Sequence, residues 1–304
     1  TFGDKKDKLI KNPFFKKIKV VPVYEKFYRP KNYILRNIFN IILPSIILKK
    51  LKFNLIKVNQ VSGGLSGILT SVFLKKKLLI RVGWEPNLFY RELNSSFIKK
   101  YLNKIVSFII YNFGKNFSVS SSYIKKYVLS NLIFKKNKKI DVIENYINLK
   151  TFKKLKINKK KKKIIVISRL SKQKNLKFLI NSLENSDISA DIIGDGDQKI
   201  ELKAYAKKLN VKINFLGRKP NNKIPKILNK YSVYVICSKI EGNVKTLLEA
   251  MACELICIGS NVEGINNIIS NKRNGYLVNN SKELKTTLFN VFKDLNKSRF
   301  MQKE

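Results

Sequence analysis

"KIIVISRLSKQKNLKFLINSLENSDISADIIGDGD" spans Lys163–Asp197. It opens on a continuous β-branched run, Ile164–Ile167, of the kind found in strands covered on both faces. A polar break follows, then a helical pattern over Asn175–Leu183, then a second apolar run that ends at "GDG" (Gly194–Gly196). Strand, helix and strand in so short a stretch form a βαβ unit, and a βαβ unit implies a parallel sheet. The pattern continues toward the C-terminus. A helix over Gln198–Leu209 precedes a strand in "VKINFLGR", a short helix in "NNKIPKILNK" and a strand in "YSVYVICS". A helix in "VKTLLEAMAC", a strand in "LICIGS", a helix in "GINNIIS" and a strand in "GYLVNN" come next, and the final helix starts near Ser281.

Toward the N-terminus the alternation is looser. Strands are expected in "IKVVPV" (Ile18–Val23), "FNLIKVN" (Phe53–Asn59), "KLLIRVG" (Lys77–Gly83), "NFSVSS" and "KIDVIEN" (Lys139–Asn145). Helices are expected over Lys31–Lys50 with a break at Pro44, after the loop "SGGLSG", over Tyr90–Asn112, and over Tyr123–Asn131 with Ser121 or Ser122 as its cap. Two such blocks predict two doubly wound α/β domains facing across a cleft. The segment Tyr146–Lys163 ends in the like-charge run "NKKKKK" and reads as a solvated linker between them.

With 304 residues the chain is long enough for two domains. Its 44 % hydrophobic and 27 % charged residues are ordinary, but Lys+Arg 63 against Asp+Glu 20 gives a formal net charge of +43. A polyanion partner would explain the sign; so would an A/T-rich genome, since lysine, asparagine and isoleucine are all abundant. The lysines are spread along the whole chain and no RNA-recognition signature is present, so no specific nucleic-acid partner is expected. Absence of histidine removes Ser-His, Cys-His and His-metal chemistry. Cys237, Cys253 and Cys257 sit in apolar surroundings and read as core thiols of a reducing, cytoplasmic compartment. The apolar run "IFNIILPSIIL" (Ile38–Leu48) is too short to span a membrane. The stretch Arg36–Lys52 has two readings, a core-packed helix or one that lies on a membrane. The start, "TFGDKK", has no signal-peptide pattern and reads like the inside of a protein.

In open α/β sheets, ligands bind beyond the C-terminal ends of the strands. After "KIIVIS" come Arg169 and Lys174; after "ADII" comes Gly194; after "INFLG" comes Arg218; after "VYVICS" comes "EGNVKT", opening the helix that carries Glu249. Arg and Lys suit phosphate oxygens, and the N–H groups of a helix start near Val244–Thr246 favour an anion. Glu249, about a turn further in, suits a vicinal diol, and Glu241 suits a different hydroxyl-bearing group. Each residue alone has a plainer reading as a surface cation, a turn or a cap; their order on successive strand ends points to a phosphorylated ligand.

The stretches "ISRLSKQKN", "DIIGDGDQKIELKAYAKKLNVKINFLGR", "EGNVKTLLEAMAC" and "SNVEGINNIISNKRNGYLV" together resemble the retaining glycosyltransferases of family 4, also called group 1, over Lys163–Asn280. The first half matches more loosely, through "LLIRVGW" and "IDVIENYINLKTF". The resemblance implies a GT-B fold: α/β, with two Rossmann-like doubly wound parallel-sheet domains and an interdomain cleft. Residues 1–148 would form the acceptor-side domain, 149–163 the linker and 164–304 the domain that binds a nucleotide-sugar donor. It implies hexosyl transfer with Arg169, Lys174 and Glu241 as the catalytic groups, the cations on the diphosphate and Glu241 on the donor sugar. Glu249 would hold the ribose, Arg218 would border the base, and Gly194 with Gly242, Asn243, Val244, Lys245 and Thr246 would line the donor. No metal or other cofactor is expected. The acceptor would be a glycan or lipid-linked, with a peripheral contact on the inner face of the membrane.

The chain departs from the family pattern in several places. Gly83 stands where many members have histidine, Glu254 where they have a left-handed glycine, and Asn145–Tyr146 where Asn-Gly is usual. The ends lead us to expect a fragment truncated on both sides, with the first strand and Gly-rich loop of the N-terminal domain missing. Such a chain has two further readings, a non-catalytic binder of nucleotide sugar and a basic nucleic-acid-binding protein.

Overall fold

The computed structural model describes residues 23–88 and 97–295. They divide into two compact units, the first comprising the described residues up to Asn87 and from 97 to Ile143, the second Leu88 and those from Glu144 on.

The first unit is built on a four-stranded parallel sheet in the order β1-β2-β3-β4. The strands are β1 (Leu55–Val58), β2 (Lys77–Val82), β3 (Asn116–Val119) and β4 (Lys139–Val142). The helices are α1 (Val23–Lys26), α2 (Tyr33–Leu48), α3 (Gly64–Leu74), α4 (Phe97–Phe113) and α5 (Ser122–Ser130). Ile80 of β2 pairs in register with Val58 and with Phe117, and Ile80, Val82, Phe117 and Val119 are buried with Ile110, Ile124 and Val128 from the helices. Ser121 caps α5, accepting from Ile124 N–H at 3.3 Å.

Three expectations for this unit are corrected. Most of the predicted strand Ile18–Val23 lies outside the described residues, and Val23 opens a helix. α2 runs through Pro44 without a break. A proline in a helix interior costs about 3 kcal/mol. That cost is offset by capping at Asn32, which accepts from Ile34 N–H at 2.8 Å, by burial of Leu43, and by the buried Ser45–Thr70 hydroxyl pair at 2.9 Å that ties α2 to α3. "SGGLSG" is not a loop: after a 3₁₀ turn at Val61–Gly63, α3 starts at Gly64. A Cβ on Gly67 would lie 2.6 Å from Val58 Cγ2, so this glycine lets the helix approach the sheet. The helix expected over Tyr90–Asn112 is described from Phe97; residues 90–96 lie outside the described residues.

The second unit holds a six-stranded parallel sheet in the order β10-β9-β8-β5-β6-β7. Its strands are β5 (Lys163–Ile167), β6 (Ser189–Ile193), β7 (Ile213–Phe215), β8 (Val233–Ile236), β9 (Ile256–Ser260) and β10 (Tyr276–Val278). The helices are α6 (Leu176–Leu183), α7 (Lys199–Lys208), α8 (Ile224–Leu228), α9 (Lys245–Ala252) and α10 (Ser281–Lys293). The chain winds outward from β5 to β7, returns beside β5 as β8, and winds out the other way. This is the Rossmann order, with its switch point between β5 and β8. Two apolar clusters cover the two faces, one around Ile164, Val166 and Ile192, the other around Ile165, Tyr234 and Cys257.

"GINNIIS" forms successive turns instead of the expected helix. Gly264 has φ +85°, which interrupts helical geometry, and a Cβ there would sit 2.2 Å from the Glu241 carbonyl oxygen. The segment 149–163, read above as a linker, has contacts of its own in this unit. Phe152 is buried, Leu155 N–H donates to Asn229 Oδ1 at 2.8 Å, and Asn229 Nδ2 donates to the Lys153 carbonyl at 2.9 Å. Lys160 Nζ donates to Asp191 Oδ2 at 2.7 Å. No helix among the described residues is long and apolar enough to cross a membrane.

Candidate functional site

The switch point lies where β5 and β8 part, and the loops after β5, β6 and β7 converge beside the start of α9. They enclose a pocket of about 470 Å³ whose lining includes Arg169, Gly194, Arg218, Thr246 and Glu249. The floor is backbone against backbone. Gly194 has φ +141°, and a Cβ there would lie 1.8 Å from the Ser168 carbonyl oxygen, so only glycine fits. Ser168 N–H donates to Ile193 O and Leu170 N–H to Asp195 O, at 3.0 and 3.1 Å, which fixes the two strand ends together. Arg169 and Arg218 are exposed at the rim.

α9 begins without a side-chain cap. Its N-cap, Val244, has no oxygen to offer and turns its own side chain into the core. Val244 therefore presents only backbone to the site. An uncapped helix start keeps N–H groups available for an anion. Thr246 is anchored by the hydroxyl of buried Tyr234, 2.9 Å away. Glu249 is almost fully buried on the same helix, with Lys245 Nζ 3.7 Å from its carboxylate. Burial raises the Glu249 pKa, and Lys245 only partly counters this. A carboxylate held with so little solvent is a group in want of hydrogen-bond donors.

Lys174 and Glu241 meet each other beside this pocket. Lys174 ends a 3₁₀ turn (Lys172–Lys174), and its ammonium pairs with the Glu241 carboxylate, which also accepts from Ser238 Oγ at 2.5 Å. The two loops are joined at the backbone: Lys239 N–H donates to Gln173 O at 2.9 Å, and Gln173 Nε2 donates to Ile240 O at 3.0 Å. Gly242 is buried, and the Asn243 carbonyl accepts from Asn145 Nδ2 at 3.0 Å.

Among the described residues, Ser168 Oγ and Asn243 Oδ1 are buried without a hydrogen-bond partner. Such orphaned groups cost about 1–3 kcal/mol each, so each calls for a hydrogen-bond partner such as water or a polar ligand. The sequence reading named Asn243 but passed over Ser168 and Ser238. Both stand last in quoted strand motifs, "KIIVIS" and "VYVICS", and that position was their available signal. It also missed Glu85 of the first unit, which follows β2 and is fully buried. Glu85 accepts from Tyr111, from Ser107 at 3.3 Å and from Asn87 N–H and Nδ2 at 3.1 and 2.8 Å. Gly83 accepts from Ser120 Oγ through its carbonyl at 3.1 Å.

Two parallel-sheet α/β units, the second in Rossmann order, define the GT-B class of fold. Residues 148–303, just over half of the chain, match the family model described as Glycosyl transferases group 1, and the chain belongs to that family. It is 34 % identical over 159 residues to the UDP-Gal:alpha-D-GlcNAc-diphosphoundecaprenol alpha-1,3-galactosyltransferase of Escherichia coli, covering 46 % of this chain and 41 % of that protein. Among solved structures it is similar to HepE of Anabaena in complex with UDP and glucose, with 18 % identity and a TM-score of 0.75 over 86 % of this chain and 74 % of that one. It is also similar to sucrose-phosphate synthase of Thermosynechococcus elongatus, with 17 % identity and a TM-score of 0.80 over 91 % of this chain and 74 % of that one. The chain spans about half the length of the curated relatives it matches.

Proposed function

We propose that the chain serves a retaining, metal-independent family 4 glycosyltransferase, moving a hexosyl group from a nucleotide-diphosphate sugar to a glycan or lipid-linked acceptor in the cytoplasm. The observation that carries this reading is the uncapped start of α9, with orphaned Asn243 Oδ1 beside it and orphaned Ser168 Oγ in the pocket that Arg169 and Glu249 line. The relative from E. coli is named for a UDP-Gal donor and a diphosphoundecaprenol-linked acceptor, and HepE was solved with UDP; both support the same chemistry here.

In this reading the bond between the anomeric carbon and the diphosphate oxygen breaks, and an acceptor hydroxyl oxygen bonds to that carbon on the same face. The hydroxyl proton passes to the departing diphosphate, on which negative charge grows. Arg169 and the N–H groups that open α9 face that charge, and Lys174 joins them once released from Glu241. Glu249 accepts from the two ribose hydroxyls, which replaces the water its burial has removed. Glu241 exchanges its bonds with Lys174 and Ser238 for a sugar hydroxyl, freeing Lys174 for phosphate. Arg218 borders the base, and Gly194, Gly242 and Lys245 complete the donor's surroundings.

Isothermal titration of the chain with UDP and with GDP tests the reading. At least one should bind, and Glu249→Ala should weaken it by about tenfold to a hundredfold, the loss expected for hydrogen bonds to a charged group. Glu201→Ala, on the exposed side of α7, should leave affinity unchanged. Absence of binding by both nucleotides, or equal effects of the two substitutions, would sink it.

A further inference from the structure

Helix α4 has a packed face and an apolar exposed face. Ser107, Ile110 and Tyr111 are buried against the first unit. On the opposite side Ile98, Tyr101, Leu102, Ile105 and Phe108 recur at helical spacing, and Ile98, Tyr101 and Leu102 are 70 %, 59 % and 56 % exposed. A helix that covers a sheet normally turns charge to the outside; here a stripe about 15 Å long is apolar instead. The stripe is extended by a neighbouring loop. Asn112 Oδ1 accepts from Ile133 and Phe134 N–H at 2.8 and 3.1 Å, and Asn112 Nδ2 donates to Asn131 O at 3.2 Å. These bonds hold Ile133 and Phe134, 67 % and 59 % exposed, at the C-terminal end of α4. Lys138 Nζ donates to the carbonyls of Tyr111, Asn112 and Gly114, which caps the same end and keeps the two parts in register.

Charge identifies the occupant. Residues 97–140 contain ten lysines and no aspartate or glutamate. Lys104, Lys115, Lys135 and Lys136 are exposed there. Tyr101, Phe108 and Phe134 could stack on bases, but Ile98, Leu102, Ile105 and Ile133, interleaved with them, could not. This aliphatic share favours acyl chains over a single-stranded nucleic acid. Apolar side chains bordered by lysine, with no acidic group to repel phosphate, match the boundary between headgroups and acyl chains in an anionic bilayer. We propose that α4 and the Ile133–Phe134 loop dock the first unit on an anionic lipid surface. The stripe would enter the acyl boundary, and the lysines would reach back to the headgroups. The surface lies wholly in the first unit and stands independently of the nucleotide reading of the second.

Co-sedimentation of the full chain with vesicles tests it, using phosphatidylcholine alone and phosphatidylcholine with phosphatidylglycerol. Physiological ionic strength weakens attraction by distant, diffuse charge while leaving lysine–headgroup contacts at the surface. The chain should sediment with the phosphatidylglycerol vesicles and much less with the neutral ones. Ile105→Ser combined with Phe108→Ser should lower partitioning by at least about tenfold, from the apolar area removed. Phe134→Ser should give a smaller loss. Ile200→Ser, more exposed than any of these but in the second unit, should give none. All these positions are at the surface, and thermal melts by circular dichroism should show each variant folded. The proposal is overturned if the double variant partitions like the wild type, or if Ile200→Ser loses as much. It is overturned equally if the wild type ignores anionic vesicles and the stripe variants instead abolish a concentration-dependent dimer.

Discussion

Each unit buries a carboxylate beside its sheet, and the two are treated in opposite ways. Asp191, in β6 of the second unit, is met by Lys160 Nζ at 2.7 Å and Lys163 Nζ at 3.2 Å, by Asn214 Nδ2 at 2.7 Å, and by the Tyr231 hydroxyl. Burial alone would raise its pKa, but the bonds from Lys160, Tyr231 and Asn214 outweigh it and hold the group down at about 2. Tyr231 is pushed up to about 12, by its burial and then by Asp191. Glu85 of the first unit has four neutral donors and no cation among them, and burial raises its pKa despite them. A buried carboxylate is kept ionised by hydrogen-bonded cations; neutral donors satisfy its oxygens without offsetting the desolvation of its charge.

Removing Asp191 should have the largest effect. Asp191→Ala strands two lysines and the Tyr231 and Asn214 donors, and it loosens the segment around Lys160 from the sheet. Breaking a buried pair from one side costs about 3–5 kcal/mol; with Lys160 partly exposed, a loss near the lower end is expected in urea unfolding of the second unit. A loss below about 0.5 kcal/mol, the scale of an ordinary surface change, would mean that the cluster is ornamental.

Glu85→Ala should come next, at about 2–3 kcal/mol, because it leaves the Asn87 and Tyr111 donors buried without an acceptor. Glu85→Gln keeps an acceptor and should cost much less. Native-state hydrogen exchange in β2 and β3 separates this from events in the second unit. Equal costs for the two substitutions would show that volume, and not hydrogen bonding, sets the stability of this corner.

Acid should then act with opposite sign on the two carboxylates. The folded-state pKa of Asp191 lies below its unfolded value, so its contribution is present above about pH 4 and is lost as the pH falls toward 2, an effect of about 2 kcal/mol. Glu85 has the opposite sign. Its contribution is complete below the ordinary glutamate range near pH 4 and declines as the pH rises through its higher folded value. Glu249 of the second unit shares the sign of Glu85, so the comparison is made in a Glu249→Gln background. There, lowering the pH from 7 to 4 should slow exchange in β2 relative to β6, and going on to 2 should weaken protection in β6. Parallel responses at the two sites would refute the opposite directions assigned to the Asp191 and Glu85 shifts.

The same contrast explains what could be read from the sequence. The second unit's strands are continuous apolar runs whose spacing fixes a βαβ pattern, so its elements were legible apart from "GINNIIS". That stretch fails because Gly264 packs against the Glu241 backbone, a contact far away in sequence. The strand-end rule led to the pocket lining at Arg169, Gly194, Arg218, Thr246 and Glu249. It could not show that Lys174 spends its charge on Glu241, nor that Ser168 is left without a partner, because both depend on how two loops meet. In the first unit glycine and proline misled. Gly64 and Gly67 read as loop and Pro44 as a break, yet tertiary packing of α2, α3 and β1 keeps all three inside helices. Glu85 was invisible because its donors are spread over a turn and a distant helix.

A third carboxylate carries the comparison to the surface, where the effect should be smallest. Glu254 follows α9 in a left-handed conformation with φ +54°, the conformation that favours glycine. Its N–H donates to Met251 O at 2.8 Å, which closes the turn after the helix. A left-handed non-glycine residue costs about 1 kcal/mol. Its partner, Lys154 Nζ at 2.6 Å, is largely exposed, and such pairs return less than that. Glu254→Gly should accordingly stabilise the second unit by about 0.5 kcal/mol, seen as a small rise in its thermal midpoint, whereas Lys154→Ala should barely move it. Should Glu254→Gly destabilise instead, the ion pair would outweigh the backbone, and charge pairing would matter in this lysine-rich chain even where water competes for both partners.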